Sequence, residues 1–179
     1  TRSAFVTGVQ TCALPIVWKG IYDDQRMFLT SSPDGNHWAD QRVAIGDGGT
    51  STTPAITAYR GLLVMAWKGV HDDTRMFWAY GSAGGYFYPQ RETFGFTSDG
   101  PALAAASEWE GPLYRAWKGV PGDTRMFQAV ADANLNWHDQ GQVGGGTSDG
   151  PALVANGVPQ ILAWKGVPGD DRLFYTVNQ

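Results

Sequence analysis

The residues best suited to ligand chemistry in this chain recur four times, at intervals of about 50 residues. Each copy reads Trp-Lys-Gly and then Asp-x-Arg-[Met/Leu]-Phe, beginning at Trp18, Trp67, Trp117 and Trp164. An indole presents a flat apolar face, while a guanidinium donates hydrogen bonds and a carboxylate accepts them. Because the same polar group is present in every copy, the pattern favours repeated ligand binding over chemistry at a single centre.

Each copy of the motif is predicted to form a hairpin in which the tryptophan lies opposite the arginine. This arrangement permits a stacked or cation–π contact between the two side chains. The aspartate two positions before each arginine is expected to orient the guanidinium or to neutralise the neighbouring lysine. A purely structural interpretation stays open, in which these residues clamp a hairpin that every unit needs for folding. The binding interpretation assigns a sugar site to the following residues: Trp67, Trp117, Trp164, Arg75, Arg125 and Arg172.

A second block, Thr-Ser-Asp-Gly-Pro-Ala-Leu, spans 97–103 and 147–153, with a diverged version at 50–56. Serine and aspartate favour turns, glycine permits positive φ, and proline can begin a strand without a donor, so a structural explanation is available. The block also supplies polar side chains that we expect on the same face as the Trp-Lys-Gly hairpins. The carbohydrate-binding candidates from it are Thr97, Ser98, Asp99, Thr147, Ser148 and Asp149.

Signals for catalysis are weak. The three histidines occupy unrelated positions in the repeat, and no glutamate lies in a repeated block. No nucleophile elbow, metal-binding motif or phosphate loop is present. A glycosidase needs two carboxylates held around the scissile bond, and no unit stands out as having them. The sequence therefore predicts a protein that is not an enzyme and has no metal or cofactor.

Composition limits the partners. A net charge of −4 and a pI near 5.2 leave no basic surface for a nucleic-acid backbone. The single cysteine, Cys12, cannot form an intrachain disulfide. No apolar run has membrane-spanning length, so membrane insertion is not expected.

The elements that must position these residues are short strands. In the third unit we predict strands over 101–107, 112–119, 124–130 and 137–143, separated by glycine, proline, asparagine and aspartate. Four strands in a repeated unit of this length are typical of a β-propeller blade. The chain is therefore predicted to be one all-β propeller domain, 1–179, with units over about 1–46, 47–93, 94–143 and 144–179.

The two ends depart from the repeat. Residues 1–16 have the length of two strands but do not match the repeat, and we expect them to be non-native sequence, with diverged natural sequence as the alternative. The last unit stops before an outer strand. The chain is expected to be a fragment of a longer repeat protein.

The combination of Ala-Trp-Lys-Gly-Val-x-x-Asp-x-Arg-x-Phe, Trp-x-x-Gln and Ser-Asp-Gly-Pro-Ala-Leu resembles the Photorhabdus-type bacterial lectins over 17–179. The resemblance implies a seven-bladed propeller that binds fucose and related, sometimes O-methylated, sugars between blades. It implies sites at Trp67, Trp117 and Trp164 with the loops 97–99 and 147–149. A structural or protein-interaction propeller is the alternative, and a sialidase-like hydrolase is the third.

Four units are too few for a seven-bladed ring in one chain. Two chains could close a ring of seven or eight blades, and closure removes unpaired strand edges. We therefore expect a homodimer that binds glycans multivalently, with a four-bladed monomer as the rival.

Overall fold

The computed structural model describes residues 14–82, 86–107, 109–155, 157 and 160–178. This part of the chain is all-β, with fourteen strands in four antiparallel sheets and no helix. Helices that could cross a membrane are accordingly absent from the described ranges. The predicted all-β class and the four-stranded antiparallel unit are confirmed.

The two middle sheets each contain four strands in chain order. The second sheet consists of β4 (Ala55–Tyr59), β5 (Leu62–Lys68), β6 (Arg75–Ser82) and β7 (Arg91–Phe96). The third consists of β8 (Ala102–Ala105), β9 (Leu113–Lys118), β10 (Arg125–Ala131) and β11 (Trp137–Gly146). The predicted outer strand is lengthened to Gly146 because a register shift between Arg125 and Met126 lets pairing resume at that residue.

The first and fourth sheets each contain three described strands. The first has β1 (Leu14–Lys19), β2 (Met27–Ser32) and β3 (Arg42–Val43); the fourth has β12 (Ala152–Ala155), β13 (Gln160–Lys165) and β14 (Leu173–Asn178). The prediction for residues 1–16 falls mostly outside the described residues, and only 14–16 are seen, as the start of β1.

Successive sheets lie side by side through their first strands, because β4 contacts β8 and β8 contacts β12. Between the sheets, apolar side chains from both neighbours interdigitate. Met27 and Leu29 of the first sheet pack with Met65 and Trp67 of the second. Strands covered on both faces explain why the apolar residues do not alternate cleanly along the sequence.

The loops between units connect neighbouring hairpins through backbone hydrogen bonds. Thr97 N–H donates to the Thr74 carbonyl in the hairpin of the second sheet at 2.8 Å, and Ser98 N–H donates to the Gly119 carbonyl in the hairpin of the third sheet at 3.0 Å. The same two bonds recur at the loops beginning with Thr50 and Thr147. Each loop therefore fixes one hairpin against the next.

Candidate functional site

Each repeated hairpin forms a three-layer stack of tryptophan, phenylalanine and arginine. In the third unit the Trp117 and Phe127 ring centroids are 5.9 Å apart, and the Arg125 guanidinium carbon lies 5.4 Å from the Phe127 centroid. Strand register pairs Trp117 with Phe127, so the predicted direct contact between tryptophan and arginine is replaced by one through the phenylalanine. Equivalent stacks are built on Phe28, Phe77 and Phe174.

The aspartate before each arginine orients it. Arg125 donates from Nε to Asp123 Oδ1 at 2.9 Å and from Nη2 to Oδ2 at 2.8 Å, and its backbone N–H donates to Oδ1 at 3.0 Å. These bonds stabilise the carboxylate and lower the pKa of Asp123 to about 2. The same pairing joins Arg75 to Asp73 and Arg172 to Asp170.

The repeated lysine connects units. Lys118 is 6% exposed, donates from Nζ to Ser98 Oγ at 2.5 Å, and lies 3.6 Å from Asp99 Oδ2. Lys165 makes the same contacts with Ser148 and Asp149. The lysine therefore holds the loop that connects the preceding sheet to its own, and Ser98 and Ser148 are engaged in that contact.

The threonines of these loops lie inside the protein. Thr97 and Thr147 are fully buried, and their hydroxyls donate to the carbonyls of Asp99 and Asp149. Their side chains therefore support the loop from within. Asp99 lines a cavity of about 430 Å³ at the first strands, together with Gly100 and Pro101 of its own loop. The equivalent loops on either side contribute Thr52, Thr53, Gly150 and Pro151.

An open, largely apolar cleft lies between β7 and the β9–β10 hairpin of the next sheet. Its volume is about 400 Å³. Phe94 and Phe96 form one side and are 40% and 55% exposed. The full lining comprises Phe94, Gly95, Phe96, Trp117, Gly119, Val120, Asp123, Phe127 and Asp139. An apolar wall beside two carboxylates is a suitable surface for a polyhydroxylated ligand.

The predicted tryptophans differ in exposure. Trp67 is fully buried, Trp117 is 3% exposed, and Trp164 is half-buried. Gly95 has φ +89°, and a Cβ on it would lie 2.9 Å from Trp117 Cζ2, so β7 covers this indole closely. Trp117 therefore forms the floor of the cleft, and the exposed aromatic faces belong to Phe94 and Phe96.

Sequence reasoning missed Phe94, Phe96 and Asp139. A signal for Phe96 was present in the repeat, because Phe96 pairs with Arg75 while Gly146 pairs with Arg125 and Gly49 with Arg26. At this position the second sheet carries a side chain, whereas the equivalents in the first and third sheets are glycine. Asp139 is exposed, and its carboxylate accepts the Gly141 N–H at 2.9 Å.

Beneath the cleft lies a buried cation. Arg115 is fully buried, with its guanidinium carbon 4.9 Å from the Trp117 centroid and 4.6 Å from that of Trp137. Its Nη1 donates to Thr93 Oγ1 at 2.8 Å and its Nη2 to the Phe94 carbonyl at 3.1 Å. Burial lowers the pKa of Arg115 to about 9, which leaves it charged at neutral pH. Arg115 thus fixes the backbone that carries Phe94.

A metal site is not evident in the described ranges, where no three histidine, cysteine, aspartate or glutamate side chains cluster. The sequence matches no protein-family model and no curated protein. Among solved structures, it is similar to the GH43_1 enzyme from Xanthomonas citri complexed with xylotriose. That alignment has 12% identity and a TM-score of 0.36, and it covers 93% of this chain and 84% of the enzyme.

The similar solved structure is that of an enzyme, which runs against the prediction that this chain is not one. At 12% identity and a TM-score of 0.36, this similarity assigns neither an activity nor a substrate to this chain.

Proposed function

We propose that this protein binds carbohydrate in the cleft between its second and third sheets. The observation that supports this proposal is the pairing of two exposed phenylalanines with two carboxylates around one opening of about 400 Å³. The apolar face of a pyranose packs on an aromatic ring, while carboxylates accept hydrogen bonds from its hydroxyls.

Within this proposal, Phe96 and Val120 provide the apolar contact. Val120 lies in the turn of the third-unit hairpin and is 37% exposed. Asp139 accepts hydroxyl hydrogen bonds from the other side. Asp123, held ionised by Arg125, is a second acceptor, since a carboxylate has more lone pairs than its arginine uses.

We infer a preference for sugars that carry a methyl group, such as fucose or O-methylated sugars. A methyl group on the ring exposes apolar surface that Phe94, Phe96 and Val120 can remove from water, at about 25 cal/mol per Å². The same sugar without the methyl group gains less from this wall. The resemblance to the bacterial lectins points to the same ligand class.

The proposal can be tested by titrating the protein with methyl α-L-fucoside and recording the backbone amide chemical shifts by NMR. Saturable shifts are expected at Gly95, Gly119 and Val120. Phe96→Ala and Asp139→Asn should each weaken binding about tenfold, because each removes a contact to the sugar. Tyr22→Ala is the matched control, since Tyr22 is 91% exposed but outside the cleft. Shifts unchanged by Phe96→Ala, or no shifts with any methylated sugar, would exclude this cleft.

Glycoside hydrolysis is a second candidate, because Asp123 and Asp139 line the same cleft. With a pKa of about 2, Asp123 stays ionised and suits a base or nucleophile, and Asp139 is the second carboxylate that such a reaction needs. Turnover of chromogenic glycosides that is lost in both Asp123→Asn and Asp139→Asn would establish hydrolysis. Sugar binding without turnover would leave the cleft as a binding site.

We propose further that two copies of the chain associate into a closed β-propeller. Ile161 and Tyr175 on the fourth sheet are 39% and 73% exposed. Their repeat equivalents, Val64 and Trp78, are buried against the third sheet. Likewise Ile16 on the first sheet is 46% exposed, whereas its equivalent Met65 is buried. The free face of the fourth sheet therefore matches the free face of the first sheet of another copy.

The mass in solution tests this assembly. We expect twice 19.4 kDa for the unmodified protein. Ile161→Glu should yield monomer because it places a charge in the new interface. Ile21→Glu, at a residue that is 77% exposed on a hairpin turn, should leave the dimer intact. A monomeric mass for the unmodified protein would contradict the proposal.

A further inference from the structure

A second pocket lies at the opposite end of the sheets from the repeated Asp-x-Arg turns. It is formed by the β4–β5 turn, the start of β7 and the β10–β11 connection, all of which antiparallel topology places at that end. Its volume is about 210 Å³. The lining comprises Tyr59, Arg60, Leu62, Tyr80, Arg91, Ala133, Asn134 and Leu135.

Two arginines in this pocket are held by aromatic rings. Arg60 Nε donates to Tyr59 Oη at 3.3 Å, and its guanidinium carbon is 5.6 Å from the Tyr59 centroid. The Arg91 guanidinium carbon is 5.5 Å from the centroids of both Trp78 and Tyr80. Aromatic stacking restricts both side chains, and within the described ranges Arg60 donates one hydrogen bond and Arg91 donates none, so most of their N–H donors remain available to a ligand.

These arginines differ from those of the hairpins. Each hairpin arginine forms an ion pair with an aspartate. Within the described ranges neither Arg60 nor Arg91 pairs with a carboxylate, and no acidic side chain lines the pocket. The pocket is thus locally positive on a chain of net charge −4. The pair of arginines is not repeated in the third unit, which has Glu110 and Gly141 at the equivalent positions.

We propose that this pocket binds an oxyanion group, such as a sulfate, a phosphate or a carboxylate, carried by a small molecule or a glycan. Two guanidinium groups present N–H donors in the fork geometry that such oxygens accept. The side-chain amide of Asn134, which is exposed at the rim, supplies a further neutral donor. The site is separate from the carbohydrate cleft and does not depend on it.

Titration with inorganic sulfate at constant ionic strength tests the proposal. Sodium chloride replaces sulfate in the reference series, because exposed charges are screened by any salt. Saturable shifts of the Asn134 and Leu135 amides are expected with sulfate and not with chloride. Arg60→Gln and Arg91→Gln should each weaken sulfate binding about tenfold, as expected for loss of a charge-assisted hydrogen bond.

Arg42→Gln is the matched control. Arg42 occupies the position in the first unit that Arg91 has in the second, and its guanidinium carbon lies 5.2 Å from the Tyr86 centroid. Asp47 lines the same cavity as Arg42. The control should therefore retain sulfate binding in the Arg60–Arg91 pocket, and so should Phe96→Ala in the carbohydrate cleft.

Parallel titrations with phosphate, glucuronate and a sulfated monosaccharide distinguish the sources of the oxyanion. Tighter binding of the sulfated sugar than of inorganic sulfate would identify a glycan ligand, and equal binding would identify the free anion. The proposal is overturned if sulfate shifts match those of chloride, or if the Arg60→Gln, Arg91→Gln double variant binds sulfate as the unmodified protein does.

Discussion

The guanidinium of Arg125 lies 5.4 Å above the ring of Phe127, which in turn stacks on Trp117. Asp123 accepts hydrogen bonds from Nε and Nη2 at the edge of the same guanidinium. Both the face and the edge of Arg125 are therefore in contact with residues of its own hairpin. This arrangement recurs in all four units, which explains why the motif is repeated so faithfully. The hairpin is a preassembled support that also supplies Val120 and Asp123 to the proposed site, while Phe94, Phe96 and Asp139 come from the strands beside it.

Replacing Arg125 with glutamine should raise the pKa of Asp123 from about 2 towards its ordinary value of 3.8. The side-chain hydrogen bonds from Arg125 are the largest cause of the lowered pKa, and glutamine cannot supply the charge or the fork. NMR titration of the Asp123 carboxyl carbon measures the change. A pKa that stays near 2 would show that the backbone N–H of residue 125 suffices.

The same pair fixes a direction for the dependence of stability on pH. Since folding lowers the pKa of Asp123, its contribution is present above about pH 4 and is lost as the pH falls towards 2. Asp24 and Asp170 have equally lowered pKa values. The urea concentration at the midpoint of unfolding should therefore decrease as the pH is lowered from about 4 to about 2. The decrease should be smaller in Arg125→Gln.

Replacing Lys118 with methionine should lower the free energy of unfolding by about 1–3 kcal/mol, because it removes the charge-assisted hydrogen bond to the Ser98 hydroxyl and the nearby opposite charge of Asp99. Lys19→Met is the matched control at the same repeat position. Lys19 Nζ donates only to the nearby carbonyls of Gly20 and Tyr22 in the described ranges, so its loss should cost less. Equal costs in urea unfolding would contradict the role of Lys118 between units.

Alanine substitutions at two glycines with positive φ distinguish the cost of backbone strain from the cost of a steric clash. Gly122, with φ +86°, has no atom within 4 Å of a Cβ placed on it, so Gly122→Ala should cost about 1 kcal/mol through strain alone. Gly95, with φ +89°, faces Met76 Cε at 2.7 Å and Trp117 Cζ2 at 2.9 Å. Gly95→Ala should cost a further 1–3 kcal/mol by forcing β7 away from the tryptophan. Similar melting temperatures for the two variants would disprove the close approach.

Arg115 occupies a position that is methionine in the second unit and leucine in the fourth. Arg115→Met should change the free energy of unfolding by less than about 1.5 kcal/mol, because it removes a buried charge and keeps the packing volume. Arg115→Lys should cost more, since one ammonium cannot reach both Thr93 and Phe94 while covering three rings. A lysine variant as stable as the methionine variant would rule out this account.

The repeat made much of the fold predictable. A period of about 50 residues with turn residues between apolar runs predicted the four-stranded unit, and the strands of the third unit were located close to their observed bounds. The orientation of Arg125 by Asp123 also followed from their spacing. These features are local, so the sequence of one unit was sufficient to find them.

The contacts between units were harder to predict because they depend on how one sheet lies against the next. Trp67 and Trp117 looked available for stacking in a single hairpin, yet the neighbouring sheet and β7 cover them. Arg115 was overlooked because a charged residue in a strand is expected to face water, whereas here three aromatic rings enclose it. Departures from the repeat were the available signal for both Arg115 and Phe96.

The loops at the first strands also determine how closely neighbouring sheets approach each other. A Cβ on Gly150 would lie 2.6 Å from the Gly100 carbonyl oxygen, and a Cβ on Gly100 would clash with the carbonyl oxygen of Thr53. Backbone therefore touches backbone where these loops meet, and no side chain fits between them. A single added methyl group at either glycine would push apart the loops of neighbouring sheets and, with them, the strands that the loops begin.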